Sequence, residues 1–257
     1  MRRRSNALRA CRVTYCCPVS PEPRSDQDIE RALVVAAHPD DADFGAAATI
    51  AGWVRAGIQV TLLCLTHGEQ GARPDADIAK LPELREREQR AASAELGVTD
   101  VRFLTGYRDG WLEPSCDLQR EIVKIIREVR PQRVLCQSPE RWYDRIMASH
   151  PDHLAAGEAT IRACYPAAEN PFAWPEINMD FWHVGEIWLM AHPDADHPVD
   201  VTDTFDNKVA ALRKHSSQTG HRDELEKMLR EWMTSTARRF ELPEGRMVEV
   251  FKFIPLN

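Results

Sequence analysis

Apolar residues follow two rhythms along this chain. Short unbroken runs, such as Ala32-Leu33-Val34-Val35-Ala36-Ala37 and Val60 to Leu65, are separated by stretches where apolar side chains return every three or four positions. An unbroken run marks a strand buried on both faces, as in a parallel sheet, and the longer period marks an amphipathic helix. The pattern predicts a strand over 31–37 and a helix over 43–56. That helix has Phe44, Ala47, Ile50, Ala51 and Val54 on its apolar face and Gly57 as its stop. A strand over 59–66, a helix over 82–96, a short strand over 101–104 and a helix capped by Asp117 and closed by Pro131 follow. The next strand is 133–137. This β-α alternation implies right-handed crossovers and an α/β fold, a three-layer Rossmann-like sandwich around a mostly parallel sheet.

Beyond it the pattern predicts a helix from about Ser149 to Cys164 and an irregular stretch over 165–183. Strands over 184–190 and 199–201, helices over 203–218 and 221–239, and a final alternating strand over 247–254 complete the chain. No internal repeat or second-domain boundary stands out. Residues 1–28 mix arginine, proline and serine without periodicity and are expected to be a flexible or weakly docked extension, leaving 29–257 as a single domain.

Composition narrows the function classes. The chain has 257 residues, enough for one large core, and a formal net charge of −7, which argues against nucleic acid or an anionic membrane as partner. No apolar run approaches the roughly 20 residues that span a bilayer, so membrane insertion is not expected. The basic start, Met1 to Arg4, is not followed by an apolar segment of the signal-peptide kind. Seven cysteines, odd in number and scattered, point to a reduced cytoplasmic protein, and Cys16-Cys17 lacks a metal-binding spacing. A glycine-rich dinucleotide fingerprint is missing after the first strand, so the fold class brings no nucleotide with it.

The chemistry sits at strand ends. His38-Pro39-Asp40-Asp41 closes the first strand, where open α/β sheets bind their ligands. One histidine and two carboxylates crowded there point to a divalent metal with a base beside it. Ser149-His150-Pro151-Asp152-His153 follows the strand at 133–137 on the same sheet edge. Ser149 with Asp152 has capping-box spacing, Pro151 suits a first helical turn, and His150 and His153 share a helix face. Imidazoles plus one carboxylate, with a position open to water, is the composition of a catalytic zinc site.

These two motifs resemble the paired motifs of the LmbE-like, or PIG-L, N-acetylglucosamine de-N-acetylases. The resemblance spans about 32–218 and includes Thr66-His67-Gly68-Glu69-Gln70-Gly71, Arg85-Glu86-Arg87-Glu88, the loop around Asp109 and the segment 208–218. It implies a zinc-dependent hydrolase that removes an N-acetyl group from a small-molecule, N-acetylglucosamine-type sugar conjugate. By motif position, His38, Asp41 and His153 are the metal ligands, with iron(II) an alternative to zinc. Asp40 is the general base, and His150 stabilises or protonates the tetrahedral intermediate with Asp152 behind it. A carboxylate beside His150 is expected to favour the imidazolium and an acid role. Some members carry a tyrosine two residues before the second motif; here that position is Ala148. The competing readings are an amidase cleaving a larger amide, such as a mycothiol-type S-conjugate, and a non-catalytic ligand-binding Rossmann-like module. A homo-oligomer is left open.

Glu69, Arg73 and Asp109, on loops at the same edge, are candidates for substrate contact, and Asp109 suits sugar hydroxyls. His215, before Ser216-Ser217-Gln218, is a candidate pocket residue. Arg85 and Glu88 share a helix face and read as a structural pair. Trp111, Phe172, Trp174 and Trp182 read mostly as core. His192-Pro193-Asp194 repeats the opening motif but has no helix behind it and reads as a loop.

Overall fold

The computed structural model describes residues 22–71 and 77–256. Arg73, Cys11, Cys16 and Cys17 therefore lie outside the described residues, as do residues 1–21 of the expected extension. The sheet contains β1 (Arg31–Ala36), β2 (Gln59–Cys64), β3 (Asp100–Phe103), β4 (Arg133–Gln137), β5 (Glu186–Met190), β6 (His197–Asp200) and β7 (Val248–Pro255). The helices are α1 (Asp41–Arg55), α2 (Leu81–Glu95), α3 (Cys116–Val129), α4 (Pro151–Arg162), α5 (Phe205–Lys214), α6 (Ser216–Thr219) and α7 (Leu225–Arg239).

The strands lie in the order β3-β2-β1-β4-β5-β7-β6. The five from β3 to β5 are parallel, and β7 runs antiparallel to both β5 and β6. Two-sided burial explains the unbroken apolar runs. Ala32, Val34 and Ala36 of β1 pack with α1 and α2 on one face, while Leu33 and Val35 pack with α3 and α4 on the other. A third apolar cluster joins α1, α5 and α7 through Ala48, Phe205, Leu212, Leu229 and Met233. The chain leaves β1 for β2 on one side and returns to β4 on the other. The crevice between the C-terminal ends of β1 and β4 is thus the topological switch point, where such sheets bind ligands.

Several local expectations change. The cap of α3 is Ser115, whose Oγ accepts the Leu118 N–H at 3.1 Å, not Asp117. The cap of α4 is His150, whose Nδ1 accepts the Asp152 N–H at 3.2 Å; Ser149 instead accepts the Trp142 N–H at 2.7 Å. The helical pattern over 203–218 is broken at His215, which has φ −79° and ψ 57° and separates α5 from α6. Residues 24–26 of the expected extension are joined to the far end of the sheet: Arg133 pairs with Asp26 at 2.6 Å and donates to the Arg24 carbonyl, and the Arg24 N–H donates to Glu186. Cys64, Cys136 and Cys164 are buried free thiols, and Cys116 is exposed. Among the described residues no helix is long and apolar enough to cross a membrane.

Candidate active site

The site begins with a tight turn. After β1 the chain runs through Ala37, His38 and Pro39 to Asp40, whose φ of +88° lies in the left-handed region that costs a non-glycine residue strain. One face of α2 holds the turn. Gln89 Oε1 accepts the Asp40 N–H at 2.8 Å, and Arg85 donates to the carbonyls of Pro39 and Gly68 with its guanidinium 3.4 Å from Asp40 Oδ2. The Gln89 amide nitrogen donates to Asp43 Oδ2 at 2.8 Å, and His215 Nε2 lies 2.8 Å from the same oxygen. Arg85 and Glu88 are therefore not paired with each other. Glu88 accepts the hydroxyls of Ser216 and Ser217, so the two residues clamp different loops.

Asp41 is the hub of the next layer. Its Oδ2 accepts the His38 N–H and the Gln137 side-chain amide, both at 2.8 Å, and lies 3.1 Å from His38 Nδ1. Its Oδ1 lies 3.0 Å from His153 Nε2. Gln137 ends β4, and its Oε1 also accepts the Ala37 N–H at 3.1 Å, so it ties the two strand ends together. Across α4, the missing side chain of Gly157 lets the helix lie against β4, since a Cβ there would run into the Gln137 carbonyl. This close approach brings His150 and His153 to the switch point. The rings of His38, His150 and His153 lie 5.2 to 5.5 Å apart, and each offers a nitrogen within 4.8 Å of the others.

The second nitrogen of His38, Nε2, lies 3.0 Å from both Asp109 Oδ1 and Asp152 Oδ2. Asp152 is held by the N–H groups of Gly110 and Leu112 at 2.7 and 3.2 Å. Asp109 Oδ2 accepts the Gln70 N–H, while Glu69 accepts the Asp109 N–H. This corrects two expectations. Asp152 stands behind His38, not behind His150, and both oxygens of Asp109 are engaged inside the protein instead of facing a sugar. Glu69 braces the Asp109 loop. His215 is a third correction: its side chain is fully buried against Asp43, away from any opening. Trp111 and Phe172 are 61% and 86% exposed and so are not core.

Electrostatics follow this geometry. Burial opposes charge on His38, but Asp41, Asp109 and Asp152 override it and push its pKa up to about 12. Burial also opposes charge on Asp41, yet His153 and His38 hold its carboxyl well below the usual range. Burial pushes Asp40 up to about 6 against the pull of Arg85. His150 moves the other way from the expectation: burial, then the positive charge of His38, lowers it, and the Asp152 carboxylate does not compensate. Since His150 Nδ1 accepts a backbone N–H, its neutral form carries the proton on Nε2.

The donor set fits a cation. His153 Nδ1 lies 3.3 Å from the Ala148 carbonyl and its Nε2 lies 3.0 Å from Asp41 Oδ1, and burial opposes its charge while the Asp41 carboxylate raises its pKa. The positive charge shared at this 3.0 Å contact is a proton on Nε2 or, in its place, a metal ion bound by both groups. His38, with Nε2 turned to carboxylates and Nδ1 toward Asp41, has the arrangement of a metal-ligating histidine supported from behind. A second group of potential donors, His38 with Asp109 and Asp152, lies on the other side of the same ring. Arg85, Gln89, Asp43 and Gln137 were not singled out as site residues by sequence reasoning. Only the four-residue spacing of Arg85 and Gln89 and a polar residue ending an apolar strand hinted at them.

Residues 33–164 match the model of the PIG-L family, described as GlcNAc-PI de-N-acetylase. The chain is 35% identical over 184 residues to a 1D-myo-inositol 2-acetamido-2-deoxy-alpha-D-glucopyranoside deacetylase of Streptomyces avermitilis, covering 62% of this chain and 60% of that protein. It is 32% identical over 195 residues to a probable N-acetyl-alpha-D-glucosaminyl L-malate deacetylase 2 of Bacillus cereus, covering 73% and 83%. The structure superimposes on the N,N'-diacetylchitobiose deacetylase of Pyrococcus horikoshii with a TM-score of 0.79 and 26% identity, over 89% of this chain and 85% of that one. The chain thus spans about 60% of the length of the Streptomyces protein and most of the other two.

Proposed function

This chain belongs to the PIG-L family, and from that premise we propose that it is a metal-dependent hydrolase that removes the N-acetyl group from an N-acetylglucosamine-type sugar conjugate. The observation that carries the reading is the Asp41 carboxylate set between His38 Nδ1 and His153 Nε2, with the raised carboxyl of Asp40 next to it. His38, Asp41 and His153 would hold the ion, zinc or alternatively iron(II). When bound, such an ion polarises the amide carbonyl and acidifies water.

The remaining steps belong to side chains of this chain. Asp40, held in its left-handed turn by Gln89 and Arg85, accepts the proton of the attacking water. A carboxyl raised toward neutrality is well matched to that task, because it can take the proton and later release it. His150, with its proton on Nε2, is the donor to the oxyanion in this reading, and the proton that Asp40 takes from the water passes to the departing amine. Asp152 and Asp109 fix the His38 ring. The buried free thiols suit a reducing cytoplasm.

The test is acetate and amine release from a panel of N-acetylglucosaminides, measured before and after chelation and with metal content determined in parallel. Chelation should abolish release, and zinc or iron(II) should restore it. Release at an unchanged rate from metal-free protein would remove the metal, and no release from any glycoside by metal-loaded, folded protein would remove the deacetylase reading.

A further inference from the structure

A cavity of about 210 Å³ opens beside the cluster, sharing Asp41, Gln137 and His153 with it. On the measure by which a single water needs roughly 10–15 Å³, this is room for a group much larger than acetyl. Its walls are apolar and aromatic, with Phe44 of α1, Trp142 of the loop after β4, and Trp232 and Phe240 at α7. Two cations, Arg145 and Arg239, line it as well. In a chain of net charge −7, two arginines converging on one apolar cavity call for an explanation. The carboxylates of Asp41 and Glu249 also line the cavity, but they are engaged by His153 and Lys208, and among the described residues neither arginine has a carboxylate within ion-pair distance.

Arg145 is also positioned. The Arg145 guanidinium lies 5.7 Å from the centre of the Trp142 ring and 5.1 Å from that of Trp232, so the two indoles hold it at the cavity. Trp142 is tied to the start of α4, since its N–H donates to Ser149 Oγ. The cavity wall and the His150–His153 segment therefore form one unit. A planar, preorganised guanidinium beside aromatic walls recognises a carboxylate carried on an apolar body.

We propose that this cavity is a subsite for the aglycone of the sugar conjugate, and that the aglycone is an apolar or aromatic group ending in a carboxylate. The inference rests on the deacetylase reading in one respect: if the departing acyl group is acetyl, the larger cavity serves the other side of the amide. Arg145 and Arg239 meet the carboxylate, and Trp142 and Trp232 pack on the body.

Binding and turnover test it separately. Titration of the metal-loaded full chain with 4-carboxyphenyl N-acetyl-β-glucosaminide, read by tryptophan fluorescence, should give a Kd about tenfold below that of the phenyl glycoside. Arg239→Gln and Arg145→Gln should each remove most of that preference, and Trp232→Phe should keep it. Arg145→Lys, which retains charge and not the fork, should fall between. Equal binding of the two glycosides, or a preference untouched by both arginine variants, overturns the proposal. If N-(4-carboxybutanoyl)glucosamine shows the arginine-dependent tightening and the aryl glycoside does not, the cavity serves the acyl side and the aglycone assignment is overturned. A preserved binding preference without any acetate release would leave the subsite standing and remove the deacetylase reading instead.

Discussion

His-Pro-Asp occurs three times in this chain, and two of the copies fold alike. In His150-Pro151-Asp152 and in His192-Pro193-Asp194, the imidazole Nδ1 accepts the N–H of the aspartate two residues on, at 3.2 and 3.0 Å. Their surroundings then diverge. Asp152 is fully buried, receives two backbone N–H groups and reaches His38, whereas Asp194 is exposed. The first copy opens the 12-residue α4, which brings His153 round to Asp41; the second leads into a turn and the short β6. The first follows β4, the direct neighbour of β1, and the second follows β5, one strand further away. A tripeptide sets its own turn by short-range contacts, but it becomes part of a site only beside a second strand end that supplies the other ligands. The remaining copy, at His38, gives up that local bond: its Nδ1 faces Asp41, and the Asp40 N–H goes to Gln89.

This contrast can be broken at several points. Asp40→Asn should retain metal content and lower turnover by about 10²–10⁴-fold, the usual worth of a positioned base; full activity with normal metal would clear Asp40 of that role. Gly157→Ala should push α4 off β4, lowering stability by about 1–3 kcal/mol in denaturant titrations and weakening metal retention, because the helix is what separates the first copy from the second. Unchanged stability would show that α4 is free to shift. Gln89→Ala leaves the Asp40 N–H without its partner, and turnover should drop about tenfold with metal content intact. Loss of metal in that variant would mean that α2 supports the ligands and not the base. At the other copy, Asp194→Asn should change stability by less than about 0.5 kcal/mol and leave acetate release within about twofold of the parent. A large loss there would mean that the second copy takes part after all.

Much of the site was legible as position and little of it as partnership. Placing His38, Asp40 and Asp41 at one strand end, and His150 and His153 at the next, needs only the apolar periods of β1 and β4 and the rule that parallel sheets bind at their carboxyl edge. The partners of each side chain were another matter. Asp152 was expected behind His150 from its place in the family motif, yet its carboxylate turns to a histidine 114 residues away. Asp109 was expected to meet sugar hydroxyls and is drawn inward by His38 and the Gln70 N–H. His215 was expected in the pocket, but the break between α5 and α6 folds it onto Asp43.

The order of elements, the buried parallel sheet and the edge on which the chemistry lies were determined by the sequence alone. Side-chain period and chain direction are local quantities that read off without long-range contacts. Tertiary structure alone decided that β4 lies beside β1, that α2 braces the left-handed turn at Asp40, and that the carboxylates collect on the far side of His38. Each of these depends on segments distant in sequence meeting in a buried space, where every charge must find a partner and several partners compete for it.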